Sequence, residues 1–258
     1  MTTRLIMHGA AGRMGQRILS LALEDPERFT VVAGVDQRSG TLADLGLPSQ
    51  APLLAELPVE PGAVVIDFSA VAVTERVIAH CAKHGMHLAI GTTGLDPAVV
   101  DAALATAGTI ASLWASNMSL GVNVLFALAG QVAGMLGSDY DIEIVEAHHH
   151  HKADAPSGTA LSLADAITDA TGRSRADLVH GREGQVGARR RGEIGMHALR
   201  MGDVVGDHSV YFVGNGERLL LGHYAHTRDI FAQGALRAAS FLAEAKPGRY
   251  TMRDVLGL

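Results

Sequence analysis

The chain has 258 residues, enough for one or two domains, and its 48% hydrophobic and 19% charged content suits a soluble enzyme with a sizeable core. A formal net charge of −6 argues against bulk nucleic-acid binding. The single cysteine, Cys81, excludes an intramolecular disulfide and fits a reducing compartment, and no signal-peptide pattern precedes the first strand-like run.

Leu5 to His8 is a short apolar run, read as a buried parallel strand. It feeds Gly9-Ala10-Ala11-Gly12-Arg13-Met14-Gly15 and a helix through Leu23, and Thr30 to Val35 is a second strand ending at Asp36. This is the start of a dinucleotide-binding βαβ unit. Gly9 permits the tight turn, Gly12 lets the backbone approach a pyrophosphate at the helix N-terminus, and Gly15 allows close helix–strand packing. Asp36 stands 21 residues past Gly15, about where a ribose-binding acid is expected. Ala11 occupies the place of the usual second glycine, so the loop is a G-x-x-G-x-x-G variant.

Gly40 to Gly62 is irregular. Val64 to Phe68 is a third strand ending in Ser69, Val73 to Lys83 a helix, and His87 to Ile90 a fourth strand ending in Gly91-Thr92-Thr93-Gly94. Pro97 begins another helix, and Thr109 to Leu113 is a fifth strand ending in Ala115-Ser116-Asn117-Met118. Repeated strand–turn–helix units imply a parallel sheet with helices on both faces, whose ligands bind at the carboxyl ends of the strands. No charged residue occurs from Ala102 to Ser138, yet Trp114 to Asn117, Asn123 and Gln131 interrupt the run. It reads as a buried strand, a polar turn and a buried helix from Leu120 to about Leu136, not as a membrane span.

From Leu120 the pattern changes. Asp141 to Val145 alternates like a strand, and Ala160 to Ala170 has helical spacing. Between them Glu146 to Ala160, EAHHHHKADAPSGTA, reads as a loop that carries the consecutive histidines His148 to His151. Ser157-Gly158-Thr159 sits at the helix start, whose free N–H groups and partial positive charge make an anion site. Lys152, one of only three lysines with Lys83 and Lys246, adds a full charge there. A histidine run alone is weak: it can be merely solvated, and adjacent histidines on a strand point to opposite faces, which suits one metal poorly. Residues 173 to 191, with Arg173, Arg175, Arg182 and Arg189 to Arg191 among glycines, read as a mobile basic loop. Glu193 to Arg200, Val204 to Val213 and Arg218 to Tyr224 read as antiparallel strands of a second domain. Asp229 to Ala245 is a helix able to pack back on the first.

GAAGRMG at 9–15, GTTG at 91–94, SNMSLGVN at 116–123, EAHHHHKADAPSGTA at 146–160, RGEIGMHALRMGDVVGDH at 191–208 and FAQGALRAA at 231–239 together resemble the 4-hydroxy-tetrahydrodipicolinate reductase (dihydrodipicolinate reductase) family over nearly the whole chain. The resemblance implies an α/β protein with an N-terminal Rossmann-like parallel-sheet domain, residues 1–119, completed by residues 229–258. It implies an α+β substrate-binding and tetramerisation domain with an open mixed sheet, residues 120–228. The implied reaction is NADH- or NADPH-dependent reduction of 4-hydroxy-tetrahydrodipicolinate to tetrahydrodipicolinate with loss of water, in lysine and diaminopimelate biosynthesis. The implied protein is a cytoplasmic homotetramer acting on a small cyclic dicarboxylate, with no metal and no nucleic-acid or membrane partner. Carried over by position, cofactor contacts fall on Gly9, Ala10, Ala11, Gly12, Arg13, Met14, Asp36, Gln37, Gly91, Thr92, Thr93, Ala115, Ser116, Asn117 and Met118. The proton-donor pair falls on His148 and Lys152, and the substrate-carboxylate ligands on His149, Lys152, Gly158 and Thr159.

The chain departs from the family in having Gln37, then Arg38, where an arginine often follows the ribose-binding acid. Loss of the 4-hydroxyl gives a conjugated imine, and reduction at C4 then needs a proton on the neighbouring carbon, work that suits a histidine. A zinc hydrolase centred on the histidines, a nucleotide sensor without chemistry, and an amino-acid or semialdehyde dehydrogenase are the rival readings. Cys81, placed in a helix, weighs against an acylating semialdehyde enzyme.

Overall fold

The computed structural model describes residues 2–258, the side chain of Thr106 excepted. The chain begins with β1 (Thr3–His8), α1 (Arg13–Glu24), β2 (Phe29–Val35), β3 (Gly40–Thr41), β4 (Pro52–Leu54), β5 (Val64–Asp67), α2 (Val71–His84), β6 (His87–Ile90), α3 (Pro97–Thr106) and β7 (Ala111–Trp114). It continues with α4 (Leu120–Leu136), β8 (Asp141–His148), α5 (Gly158–Thr171), β9 (Leu178–His180), β10 (Ile194–Arg200), β11 (Gly206–Gly214) and β12 (Glu217–Ala225). It ends with α6 (Asp229–Glu244), β13 (Gly248–Tyr250) and α7 (Met252–Leu256). Two compact units result, Met1–Leu120 with Asp229–Leu258, and Gly121–Arg228.

The first unit is a sheet in the order β13-β7-β6-β5-β1-β2-β4-β3, parallel throughout except for the β3–β4 pair. Its central strands are apolar runs because both faces are covered. Leu5, Met7, Val64 and Ile66 face Ile18, Leu19, Ala235 and Leu242 of α1 and α6. Ile6, Val65, Leu88 and Ile90 face Val77, Ile78, Val100 and Leu104 of α2 and α3. α1 lies tight on the sheet because Gly15 lacks a Cβ, which would stand 2.1 Å from the Gly9 carbonyl oxygen. The stretch expected to be irregular holds β3 and β4, which extend the sheet past β2. They escape a periodicity reading because β4 pairs with β2 through only Leu53 and Leu54. β7 starts two residues later than Thr109, whose hydroxyl is instead donated to the Ala82 carbonyl at 3.2 Å.

The second unit is a five-stranded mixed sheet in the order β12-β11-β8-β10-β9. β11 is antiparallel to β8 and β12, whereas β10 is parallel to β8 and β9. The expectation of an antiparallel run is thus corrected at β10. α5 and the segment after it cross over before β10 begins, and a crossover of that length returns the chain in the parallel direction. α4 and α5 cover one face, burying Leu125, Ala129, Leu163 and Ile167 against Ile142, Ile144, Val210 and Phe212. With the turn through Asp139, α4 is long and apolar enough to cross a membrane by length and composition, and the fold buries one side of it in this core. The other face of the sheet leaves Leu199, Val213, Leu220 and Tyr224 exposed.

The basic segment is also corrected. Arg182 and Arg189 both donate to Glu143, Arg182 and Arg189 reach Glu193, and Arg189 donates further to Asp141 and to the Ile142 carbonyl. The segment is strapped to the sheet by ion pairs, and of these arginines Arg190 and Arg191 extend furthest into solvent.

Candidate active site

In the first unit the carboxyl ends of β1, β2 and β5 meet where the strand order reverses, the place at which open α/β sheets bind ligands. A cavity of about 570 Å³ opens there, lined among others by His8, Gly9, Ala11, Gly12, Asp36, Gln37, Phe68 and Ser69. Gly9 has φ of 84°, and a Cβ on it would stand 2.4 Å from the Phe68 carbonyl oxygen. Gly12 caps α1 without a side chain, and no acidic residue occupies the first turn. Asp36 accepts from the N–H of Ala11 and the N–H of Gln37, each at 2.8 Å, so its carboxylate is fixed at the cavity wall. A bare helix start, a close-approach glycine and an oriented carboxylate fit the diphosphate and ribose of a dinucleotide.

Not every expected cofactor residue lines that cavity. Ala10 and Met118 are buried, and Met14 packs against the core. Thr92 spends its hydroxyl on the buried Asp67 carboxylate at 3.0 Å. Gly91 admits the Phe68 ring, which a Cβ would meet at 2.2 Å. Thr93 and Ser116 are exposed at the ends of β6 and β7, with Ala115 and Asn117 half-buried beside them. Arg13 is exposed at the start of α1. Asp67 lay outside the expected set; it gathers the His8 imidazole at 2.6 Å and the Ser69 hydroxyl at 2.5 Å beneath the cavity.

In the second unit β8 runs through His148, so the expected loop begins three residues later than Glu146. Pairing with β10 on one side and β11 on the other carries the strand on. Ile142, Ile144, Glu146 and His148 share the helix-covered face, so a glutamate and a histidine continue an apolar row. Glu146 is fully buried. It accepts from His148 Nδ1 at 2.6 Å, from both terminal nitrogens of Arg200 at 2.9 Å and from the Ser157 N–H at 3.0 Å. Burial alone would raise this carboxyl; the hydrogen bonds from His148, Arg200 and Ser157 outweigh it and hold it at about 2.

His148 stands edge-on to His208, with ring centroids 5.1 Å apart. Burial, then the neighbouring His148, pushes His208 down to about 4, and its Nε2 lies 3.1 Å from the Ser157 hydroxyl. That hydroxyl also caps α5 by accepting from the Ala160 N–H, with Gly158 and Thr159 opening the helix. Lys152 Nζ pairs with Asp154 at 2.8 Å, which holds the Asp154 carboxyl below its ordinary value. Among the described residues nothing hydrogen-bonds the buried Nδ1 of His149 or of His208. His150 and His151 are exposed.

The structure therefore collects His148, His149, Lys152, Gly158 and Thr159 at one end of the second sheet. It adds Glu146, Arg200 and His208, which had no assigned role. For Glu146 the available signal was the Ile142–Ile144 alternation carried past Val145, where the sequence reading instead begins a loop. No three His, Cys, Asp or Glu side chains among the described residues are arranged to hold a metal.

A parallel sheet with a glycine turn at its switch point, interrupted by a mixed-sheet unit with a cationic, histidine-rich cluster, defines a two-part dinucleotide-dependent oxidoreductase. Residues 3–118 match the family described as dihydrodipicolinate reductase, N-terminus, and residues 121–256 the one described as dihydrodipicolinate reductase, C-terminus. The chain is 46% identical to the 4-hydroxy-tetrahydrodipicolinate reductase of Desulfovibrio desulfuricans over 99% of its length and 100% of the relative's. It is 43% identical to that of Myxococcus xanthus, over 98% and 97% of the two chains. A dipicolinate-bound dihydrodipicolinate reductase from Paenisporosarcina sp. TG-14 superposes with a TM-score of 0.77 at 22% identity, covering 97% of this chain and 98% of that one. The chain belongs to the dihydrodipicolinate reductase family.

Proposed function

We infer that the chain reduces 4-hydroxy-tetrahydrodipicolinate to tetrahydrodipicolinate with loss of water, in the synthesis of diaminopimelate and lysine. The observation that carries this reading is full-length membership of the family together with the Glu146–His148 pair beside the capped start of α5. Bound at the glycine turn, NADH or NADPH supplies the hydride that reduces C4 of the dehydrated ring. Gly9, Ala11 and Gly12 offer backbone to the diphosphate, and Asp36 accepts from a ribose hydroxyl.

Lys152 and the N–H groups of Gly158 and Thr159 hold one ring carboxylate, with charge and dipole of the same sign. The unpartnered His149 Nδ1 supplies a further polar contact. His148 gives a proton to the carbon next to C4, and Lys152 assists by keeping the ring in register. The dipicolinate on the Paenisporosarcina relative, a dicarboxylate, supports the same ligand class here. A coupled assay tests the reading: synthase-generated substrate should drive NADH and NADPH oxidation, and no oxidation of either would overturn it.

The same reading makes the protein a homotetramer joined through the second unit, supported by the exposed Leu199, Val213, Leu220 and Tyr224 on one sheet face. Light scattering that gave a monomer at micromolar concentration would contradict this. It also makes the protein cytoplasmic, without membrane or nucleic-acid partners, in keeping with a net charge of −6. Recovery of the native protein in a membrane pellet would refute that placement.

A further inference from the structure

We propose that Glu146 is a positioning residue that, clamped by Arg200 and the Ser157 N–H, fixes the His148 ring as its Nδ1–H tautomer and so makes Nε2 the atom that delivers the proton. The inference rests on His148 being the proton donor. Its own basis is the hydrogen-bond inventory. A carboxylate held ionised only accepts, so His148 Nδ1, 2.6 Å away, has to be the donor. Glu146 cannot turn to release it. One of its oxygens takes an Arg200 nitrogen and the Ser157 N–H, and the other takes the second Arg200 nitrogen and the imidazole. Arg200 is held in turn by the Asp154 carbonyl at 2.5 Å. With Nδ1 committed, Nε2 is the only ring nitrogen left to exchange a proton.

Addition of hydride at C4 moves electron density through the neighbouring carbon to the ring nitrogen. The Nε2–H bond of the imidazolium breaks, its electron pair stays on Nε2, and the proton forms a C–H bond next to C4. The imine is restored, and His148 is left neutral and still protonated on Nδ1. The buried carboxylate holds the ring in orientation for this step, and it is not itself a proton donor. His208, kept neutral by burial, adds bulk at the ring edge without a competing charge.

Histidine-labelled protein allows the ring nitrogens of His148 to be read by 15N NMR, with His148→Gln assigning the signal. In the neutral ring of the wild-type protein, the Nδ1–H form should dominate. An Nε2–H form would overturn the proposal without need of a further variant. Glu146→Gln should lower kcat by about 10²-fold or more, by analogy with loss of the orienting carboxylate in a catalytic triad, and should change KM much less. Its His148 signal should move toward Nε2–H, because the Gln amide can donate to Nδ1. Arg200→Lys, which keeps a charge but loses the two-point clamp, should lower kcat less and leave the tautomer mixed. An unchanged kcat and tautomer in Glu146→Gln, with His148→Gln still inactive, sinks the positioning role alone. If His148→Gln itself keeps wild-type kcat, the underlying proton-donor reading fails instead.

Discussion

Two glutamates on β8 have nearly the same electrostatics and different surroundings. Glu143 faces the open side of the sheet and Glu146 the helix-covered side. Each binds one histidine, Glu143 also two arginine guanidinium groups and Glu146 one, and in each burial is outweighed by those hydrogen bonds, leaving both carboxyls at about 2. Around Glu143 the partners close on one another. His197 lies at 2.7 Å, while Arg182 and Arg189 are shared with Glu193 and Asp141. Around Glu146 the network stays open. Lys152, the start of α5 and the unpartnered nitrogens of His149 and His208 surround its histidine. A depressed carboxyl pKa thus marks an ion-pair network and does not by itself mark a site; the unmatched polar groups nearby do that.

The comparison breaks most easily at the histidines. His148→Gln should lower kcat by about 10²–10⁴-fold, well beyond its effect on KM. Lys152→Ala should damage both parameters, since it removes a contact made before and during the reaction. His197→Gln and the exposed His150→Ala should leave kcat near that of the wild type. Equal, slight losses in His148→Gln and His150→Ala would mean that the cluster is only a packed histidine group.

A smaller effect should appear in stability. Glu143→Gln leaves Arg182 and Arg189 short of an ionised partner and should cost roughly 1–3 kcal/mol in urea unfolding, with kcat unchanged. The pH dependence sharpens this. The folded value of Glu143, about 2, lies below the ordinary 4.5, so its contribution is full above about pH 4.5 and disappears as pH falls toward 2. The stability of Glu143→Gln should therefore fall less steeply than that of the wild type across that window. Parallel curves would show that Glu143 adds nothing.

The smallest effect concerns Asp36, a carboxylate that, like Glu146, borders a ligand space. In the proposed function it would accept from a free ribose 2′-hydroxyl and repel a 2′-phosphate, with Arg13 and Arg38 there to soften the repulsion. Both cofactors should support turnover, with kcat/KM favouring NADH by less than about tenfold. A preference for NADPH above that margin would remove Asp36 from the role.

The parts legible in the sequence are those whose physics is local. The glycine turn, its strand and helix, and Asp36 lie within one βαβ unit, and the Ser157 cap precedes the helix it starts. The Glu146 cluster was not legible as a cluster. Arg200 and His208 reach Glu146 only through the β8–β10 and β8–β11 registers, which pair Glu146 with Ala198 and with His208. The direction of β10 depended on the crossover, and β3 and β4 were too short to show a period. The arginines after α5 read as a mobile basic loop because their carboxylate partners, Glu143 and Asp141, lie a whole helix earlier in the chain.

The return of α6 to the first unit has a consequence for the order of synthesis. Ala232, Ala235, Ala239 and Leu242 close the core that holds Leu113 and Met118, and Gly234 lies so close to the Met118 carbonyl that a Cβ would stand 1.7 Å from its oxygen. Arg17 and Asp229 lock α1 to α6 through two hydrogen bonds of 2.8 Å. A ribosome delivers residues in sequence, so residues 121–228 emerge while this core still lacks its cover. The nascent first unit waits, with apolar surface open to chaperones, until a helix made more than a hundred residues later arrives to seal it.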